Sequence, residues 1–271
     1  MIKAAAADRV VLVGFGAIGG TVVKLLAARG RLHQIAAIAL RDVARLRSDL
    51  PAGIPVLRDP ADLSGIAADL VVEAAGRDSV APWGRAALAS GKSFAVSSTA
   101  ALADTALFSA LSELARANSA QLIIPPGALG GIDALAAAGR MGLDAVVHHI
   151  TKPPLAWQGT LAESLCDLTR IDTAQTFFCG SARLAAAQFP QNANVAMVVA
   201  FAGLGPDHTQ VSLTSDPACL VNRHETVATG AFGRMQVQFE NAALPENPKS
   251  SAMTALSLVR LIENRAAGIS I

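Results

Sequence analysis

The chain carries the sequence Val10-Val11-Leu12-Val13-Gly14-Phe15-Gly16-Ala17-Ile18-Gly19 near its first residue. Its four leading apolar residues predict a buried strand, and the apolar stretch Ile18–Ala28 predicts a helix after the glycines. A G-x-G-x-x-G turn between a strand and a helix is typical of a dinucleotide site: Gly14 makes the tight turn, Gly16 admits a pyrophosphate, and Gly19 lets helix and strand pack. The glycines would also suit close packing alone. The predicted cofactor contacts at this turn are Gly14, Gly16, Ala17, Ile18 and Gly19.

Short apolar strands and Ala/Leu-rich helices alternate over about the first 125 residues, which is typical of a parallel sheet with helices on both faces. The fold class is therefore α/β, with a Rossmann-type, doubly wound domain over residues 1–130. The predicted strands are Val10–Val13, Ile35–Leu40, Asp69–Ala74, Ser93–Ser97 and Gln121–Ile124, and the predicted helices are Ile18–Ala28, Ala81–Ala89 and Thr105–Asn118.

After Gly130, strands follow one another with few helices between them, which indicates an α+β domain over residues 131–247 for substrate binding and oligomerisation. The predicted strands are Val146–Thr151, Gln175–Cys179, Gln210–Thr214, Glu225–Thr229 and Arg234–Glu240, and the predicted helices are Leu184–Ala187 and Val195–Leu204. The stretch Asn247–Ser251 resembles a start signal for a final helix, Ala252–Arg265. Because one helix cannot bury its apolar face alone, we expect residues 248–271 to pack back on the first domain.

Composition and charge exclude several classes of protein. Lys and Arg number 22 against 21 Asp and Glu, so the chain lacks the excess positive charge that binds nucleic acid. The apolar run Val195–Leu204 is shorter than the ~20 residues of a membrane helix, and no secretory signal is visible. The cysteines, Cys166, Cys179 and Cys219, lack the spacing of a disulfide framework or a zinc site. We expect a cytoplasmic protein that binds neither nucleic acid, nor membrane, nor metal.

The carboxyl edge of the first sheet supplies further candidate cofactor contacts, because open α/β sheets bind ligands there. Ala75 and Ser98 each follow a predicted strand at this edge. The second strand normally ends in an acid that binds the adenine ribose, but Leu40 stands there and Arg41 follows. Arg41 either binds a 2′-phosphate or lies in solvent. The predicted cofactor is therefore NAD or NADP, with NADP accepted at least as well.

Five histidines offer acid/base chemistry, and their spacing does not rank them. His148 and His149 are neighbours in a predicted strand, so they point to opposite faces and at most one faces a cleft. His224 follows Asn222 just before the predicted strand Glu225–Thr229.

Several uncommon strings occur in a fixed order along the chain: Gly14–Gly20, Pro125–Asp133, Thr151–Pro154, Phe189–Ala196, Asn222–Glu225 and Asn247–Ser251. Together they resemble the L-aspartate dehydrogenase family over nearly the whole length. The resemblance implies NAD(P)-dependent oxidative deamination of L-aspartate to iminoaspartate, which then gives oxaloacetate and ammonia. It assigns the catalytic role to His224 and cofactor contacts to Ala128 and Asn194. The chain departs from the family at Pro126, where Ser is frequent, and at Leu40, where an acid is frequent.

A dicarboxylic substrate requires cationic or amide partners. The cations Lys152, Arg223 and Lys249 lie within the family-like strings, and we predict that Lys249 and Ser250 bind a substrate carboxylate at the start of the last helix. The alternative is an ordinary helix cap with Lys249 in solvent. An unperturbed histidine titrates near ~6.5, so deamination is expected to accelerate as the pH rises through the pKa of His224.

Two other classes of function remain open on sequence alone. One is a related two-domain reductase, similar to homoserine dehydrogenase or dihydrodipicolinate reductase, although the strings Asn222–Glu225 and Asn247–Ser251 argue against it. The other is a dinucleotide sensor without catalysis. An exposed face of the α+β sheet would suit a homodimer.

Overall fold

The computed structural model describes residues 9–42, 49–244 and 247–270, and it describes the side chains of these residues except 243 and 247–250. The described residues form two compact units. The first comprises residues 9–125 together with 254–270, and the second comprises residues 126–253.

The first unit is built on a six-stranded sheet in which every neighbouring pair is parallel, in the order β3-β2-β1-β4-β5-β6. Its strands are β1 (Val10–Val13), β2 (Ile35–Ala39), β3 (Val56–Leu57), β4 (Leu70–Glu73), β5 (Ser93–Val96) and β6 (Leu122–Ile123), and its first helices are α1 (Ala17–Ala28), α2 (Arg77–Ala89) and α3 (Thr105–Ala117). Strands β1, β2, β4 and β5 are buried at every residue, as parallel strands covered on both faces must be. The predicted α/β fold class is confirmed, and only the two-residue β3 was missed among these strands.

The second unit contains a mixed five-stranded sheet in the order β11-β10-β7-β9-β8, with β7 and β9 parallel and the other pairs antiparallel. Its strands are β7 (Leu143–Lys152), β8 (Gln175–Ser181), β9 (Gln210–Ser215), β10 (Asn222–Gly230) and β11 (Gly233–Asn241), followed by the paired β12 (Ala243–Leu244) and β13 (Asn247–Ser251). Its helices are α4 (Ile132–Ala138), α5 (Ala162–Leu165), α6 (Ala182–Gln188) and α7 (Asn194–Ala202). Helix α6 packs on β8 and β9, and α7 packs on β7.

The final helix, α8 (Ala252–Arg265), has the predicted bounds. Its side chains Leu258, Val259 and Ile262 join the apolar cluster that contains the β1 strand, so most of the helix belongs to the first unit. The stretch before the helix also has a second role, because Asn247–Ser251 forms β13 and pairs antiparallel with β12. At the predicted helix start, Ser251 Oγ accepts a hydrogen bond from the backbone N–H of Met253 at 3.1 Å. Residues 248–253 therefore lie in the second unit.

The boundary between the units falls at Pro125 and Pro126, before the change of pattern at Gly130. Two contacts explain why the segment after Pro125 belongs to the second unit. The side-chain amide of Asn241 donates a hydrogen bond to the carbonyl of Ala128, at 3.0 Å. In addition, Gly130 lies so close to the ring of Phe239 that any Cβ there would collide with it. In the described part of the chain, no helix is long and apolar enough to cross a membrane.

Candidate active site

The three glycines of the first turn have three different surroundings. Gly14 adopts a φ of +99°, and a Cβ there would lie 2.7 Å from the carbonyl oxygen of Ala74, so no other residue fits. A Cβ on Gly19 would collide with the carbonyl oxygen of Gly14. Around Gly16, by contrast, no atom lies within 4 Å of where a Cβ would be. That open side is the space that a pyrophosphate needs, so the turn fits a dinucleotide.

Helix α1 begins at this open space. Its N-cap is Gly16, which provides no side-chain hydrogen bond, and its first turn contains no acidic residue. The amides of Ala17, Ile18 and Gly19 are therefore at the positive end of a 12-residue helix. Such an end binds phosphate oxygens.

A cleft of about 540 Å³ adjoins the turn at the carboxyl ends of β2 and β4. Its lining includes Gly16, Leu40, Arg41, Arg58, Ala75 and Arg77. Leu40 is buried, 8% exposed, whereas Arg41 is exposed beside it. Asp42 and Asp78 also border the cleft. The structure therefore places both Arg41 and Ala75 at the cleft. The uncharged Leu40 stands where an acid would repel a 2′-phosphate.

The buried carboxylate of Glu73 organises the loops at this edge. Its Oε1 accepts hydrogen bonds from the backbone N–H groups of Ala75 and Gly76, both at 2.8 Å, and from the hydroxyls of Ser98, at 2.9 Å, and Ser79, at 3.1 Å. Its Oε2 accepts from the backbone N–H of Ser98 at 2.9 Å. The loops after β4 and β5 are thus held by one side chain. Ser98 is buried and turned toward Glu73, and it is not among the cleft-lining residues.

In the second unit, His224 lies within β10 rather than before it, and only 5% of the residue is exposed. Its imidazole stacks on that of His148 on β7, with ring centroids 5.6 Å apart and an interplanar angle of 11°. His148 Nδ1 lies 2.8 Å from the hydroxyl of Thr226. The other nitrogen of His148, Nε2, and Nδ1 of His224 are buried without a hydrogen-bond partner in the described part of the chain.

Strand register explains this pairing. In the antiparallel pair β7 and β10, His224 is opposite Ile150 and Thr226 is opposite His148. Because alternate residues share a face, His148, Ile150 and Lys152 lie on the same side as His224. His149 points to the other side, where its Nδ1 lies 2.7 Å from the hydroxyl of Ser212.

Burial sets the protonation state of this cluster. Loss of hydration lowers the pKa of His148 to about 3, with a smaller contribution from His149. Burial also lowers the pKa of His224 well below its usual value, with further contributions from His148 and Lys152. Both imidazoles are therefore neutral near neutral pH. The pKa of His224 therefore lies below the ~6.5 of a hydrated histidine, so the expected acceleration moves to lower pH.

Lys152 ends β7 beside the two histidines and is only 7% exposed. Its ammonium donates to Oδ1 of Asn192 at 2.6 Å and lies 5.1 Å from the centre of the Trp157 ring. Burial lowers the pKa of Lys152 to about 8. The cluster thus combines a buried cation with two neutral imidazoles.

The chain is similar over nearly its whole length to proteins named L-aspartate dehydrogenase. It is 55% identical to the one from Brucella anthropi over 260 residues, which cover 96% of this chain and 97% of that protein. The chain belongs to the L-aspartate dehydrogenase family. Its identity to the family's member from Pseudomonas aeruginosa is 41%, over 97% of this chain and 99% of that protein.

Solved structures and family models agree with this membership. The aspartate dehydrogenase of Thermotoga maritima has a TM-score of 0.78 and 25% identity, covering 97% of this chain and 99% of that one. The model "Aspartate dehydrogenase, C-terminal" matches residues 133–265, and the model "Homoserine dehydrogenase, NAD binding domain" matches residues 14–125. The resemblance to the L-aspartate dehydrogenase family is therefore confirmed.

The remaining residues that the family resemblance selected lie in the second unit. Ala128 is buried and its carbonyl accepts from Asn241. Asn194 is the first residue of α7, two positions after Asn192. Lys249 and Ser250 lie in β13, and their side chains are outside the described residues. Among the described residues, no group of three or more His, Cys, Asp or Glu side chains is arranged to hold a metal ion.

Sequence reasoning missed two features of these clusters: Glu73, and His148 as the partner of His224. A single acid at the end of the buried strand Leu70–Glu73 was a usable signal, since an isolated buried carboxylate requires partners. The His148 pairing depended on strand register, which no local pattern supplies.

Proposed function

We propose that this protein oxidises L-aspartate with NAD or NADP to iminoaspartate, which water converts to oxaloacetate and ammonia. In this proposal the first unit binds the dinucleotide, and the second unit binds the amino acid and carries the acid/base group. The observation that carries the proposal is the cluster in which the buried, neutral His224 lies beside the buried cation Lys152, in a chain of the L-aspartate dehydrogenase family.

Oxidation removes a hydride from Cα and one proton from the amino nitrogen of the substrate. The nicotinamide supplies the hydride acceptor when the cofactor is bound. The nitrogen needs a free lone pair to form the C=N bond, so the substrate ammonium must first lose a proton. His224 accepts that proton, because its imidazole is neutral and its Nδ1 has no hydrogen-bond partner among the described residues. Hydrolysis of the imine then requires a second proton transfer, from the attacking water. The same imidazole serves for it once it has released the first proton to solvent.

Replacing His224 tests this assignment. His224→Ala is expected to lower kcat by about 10²–10⁴, the usual contribution of general acid/base catalysis, and to leave cofactor affinity unchanged. His149→Ala is the matched control, because this neighbouring strand residue points to the opposite face. Activity is measured as L-aspartate-dependent reduction of each cofactor. The assignment is contradicted if His149→Ala is the inactive variant while His224→Ala keeps the wild-type kcat.

The alternative functions have weaker support. A homoserine dehydrogenase-like reductase shares the first-unit model, but residues 133–265 match the aspartate dehydrogenase C-terminal model. A non-catalytic dinucleotide sensor would bind cofactor without turning over any amino acid, which the same assay distinguishes.

Location and assembly are part of the proposal. The cysteines, which lack the spacing of a disulfide framework, support a cytoplasmic location. A homodimer is supported by the sheet of the second unit, where Gln236, Gln238 and Glu240 leave one face of β11 exposed. Sedimentation at micromolar concentration measures the assembly, and a monomer would contradict the homodimer.

A further inference from the structure

A buried cation in the second unit lacks an anionic partner. Lys152 is 7% exposed, yet no carboxylate of the described residues forms an ion pair with it. Its polar contact is the neutral amide oxygen of Asn192. Lysine is almost never fully buried unless it is paired. Burial of this charge is therefore unfavourable, and an uncharged residue would fill the same position without that cost.

The surroundings of Lys152 suit an incoming anion. An ammonium has three N–H donors, and Asn192 accepts one of them. The nearby imidazoles of His148 and His224 are neutral because they are buried. A single positive charge among poorly hydrated neutral groups attracts an anion more strongly than it would in water. A carboxylate, with two acceptor oxygens, matches the remaining donors.

Register places this cation beside the acid/base residue. His224 is opposite Ile150, and Lys152 is the next residue of β7 on the same face. Side chains at such diagonal positions are about 7–8 Å apart at their bases, within the reach of a lysine. An amino acid bound through a carboxylate at Lys152 therefore has its amine near His224.

We propose that Lys152 binds a carboxylate of the substrate. The other two cations in the family-like strings do not have this combination of features. Arg223 lies on the opposite face and has a carboxylate partner, Asp216, at 3.6 Å. The side chain of Lys249 is outside the described residues. The inference rests on the proposed function, because it assumes that a dicarboxylic amino acid is the substrate.

The test replaces Lys152 by methionine, which keeps the length of the side chain and removes the charge. Lys152→Met is expected to raise KM for L-aspartate by about 10–100-fold, the value of a charge-assisted hydrogen bond, while cofactor Kd stays unchanged. Succinate, a dicarboxylate without an amine, is titrated into the full-length protein by calorimetry and is expected to lose affinity by a similar factor. Arg234→Met is the matched control, because it removes an exposed cation from β11 of the same sheet.

A purely structural lysine would not produce this selective change in KM and succinate affinity. If Lys152→Met does not fold, Lys152→Gln replaces it, since an amide can still bond to Asn192. The inference is overturned, and the proposed function stays intact, if the wild-type protein oxidises aspartate and the uncharged Lys152 variant keeps both the KM for aspartate and the affinity for succinate. Wild-type protein that binds succinate through Lys152 without oxidising aspartate contradicts the proposed function and supports the carboxylate site.

Discussion

Glu73→Gln is the substitution whose consequence the structure determines most directly. The change keeps the shape of the side chain but converts one carboxylate oxygen into an NH₂ group. The glutamine carbonyl can replace Oε1, which accepts from Ala75 and Gly76. The NH₂ group then faces the backbone N–H of Ser98, where Oε2 had accepted a hydrogen bond. The opposite rotamer is worse, because it turns the NH₂ group toward two backbone donors.

The expected loss follows from these contacts. One charge-assisted hydrogen bond disappears, at about 1.5–3 kcal/mol, and a buried N–H group loses its acceptor, at about 1–3 kcal/mol. We expect the free energy of unfolding of the first unit to fall by about 2.5–6 kcal/mol. Cofactor affinity should fall as well, because Ala75 lines the cleft and Glu73 holds its loop.

Tryptophan fluorescence can report on the first unit alone. The chain has 2 tryptophans, Trp83 in α2 of the first unit and Trp157 in the second. In a Trp157→Phe background of the full-length chain, urea unfolding followed by fluorescence therefore monitors Trp83. Ser79→Ala in the same background is the control, since it removes one hydroxyl donor to Glu73 and should cost only about 1 kcal/mol.

The reasoning is refuted if Glu73→Gln costs less than about 1 kcal/mol, the value of a single neutral hydrogen bond. An equal loss in Glu73→Gln and Ser79→Ala would refute it too, because only Glu73→Gln leaves a buried backbone N–H, that of Ser98, without an acceptor.

Three further measurements concern ligands. Arg41→Ala should lower kcat/KM with NADP by about tenfold, through loss of a charge-assisted contact, and leave kcat/KM with NAD unchanged. Equal losses with both cofactors would contradict a contact between Arg41 and the 2′-phosphate. Succinate affinity should be constant between about pH 6 and pH 8 and fall about tenfold per pH unit above pH 8, because Lys152, with its pKa of about 8, loses its charge as the pH rises; calorimetry that shows no change at higher pH contradicts this. Lys249→Ala should raise KM for L-aspartate without changing cofactor Kd, and an unchanged KM leaves β13 a structural role.

The fold of the first unit could be predicted from the sequence, because it depends on the conformation and packing of short stretches of the chain. Gly14 needs a positive φ and Gly19 has no room for a Cβ, and both requirements arise from backbone atoms close along the chain or on the next strand. The apolar runs of β1 and β4 predicted buried parallel strands, because such strands are covered on both faces. The fold class and the glycine turn could therefore be predicted without knowledge of long-range contacts.

Assignment of the acid/base residue to His224 likewise came from the sequence, through the uncommon string Asn222–Glu225 and its resemblance to a family. Its environment did not. The predicted strand began at Glu225, whereas the observed strand begins at Asn222 and pairs across its whole length with β11. Pairing with a neighbouring strand outweighs local propensity.

Only the tertiary structure decided which side chains meet. The register of β7 against β10 brings His148 and Lys152 to the face of His224 and sends His149 to the other face. A shift of one residue would reverse that choice while leaving the sequence pattern of each strand unchanged. Burial is equally non-local, and it is burial that makes both imidazoles neutral and lowers the pKa of Lys152. The sequence determined which chemical groups are present, and the packing of distant segments determined their charge and their neighbours, because hydration and contact depend on the whole fold.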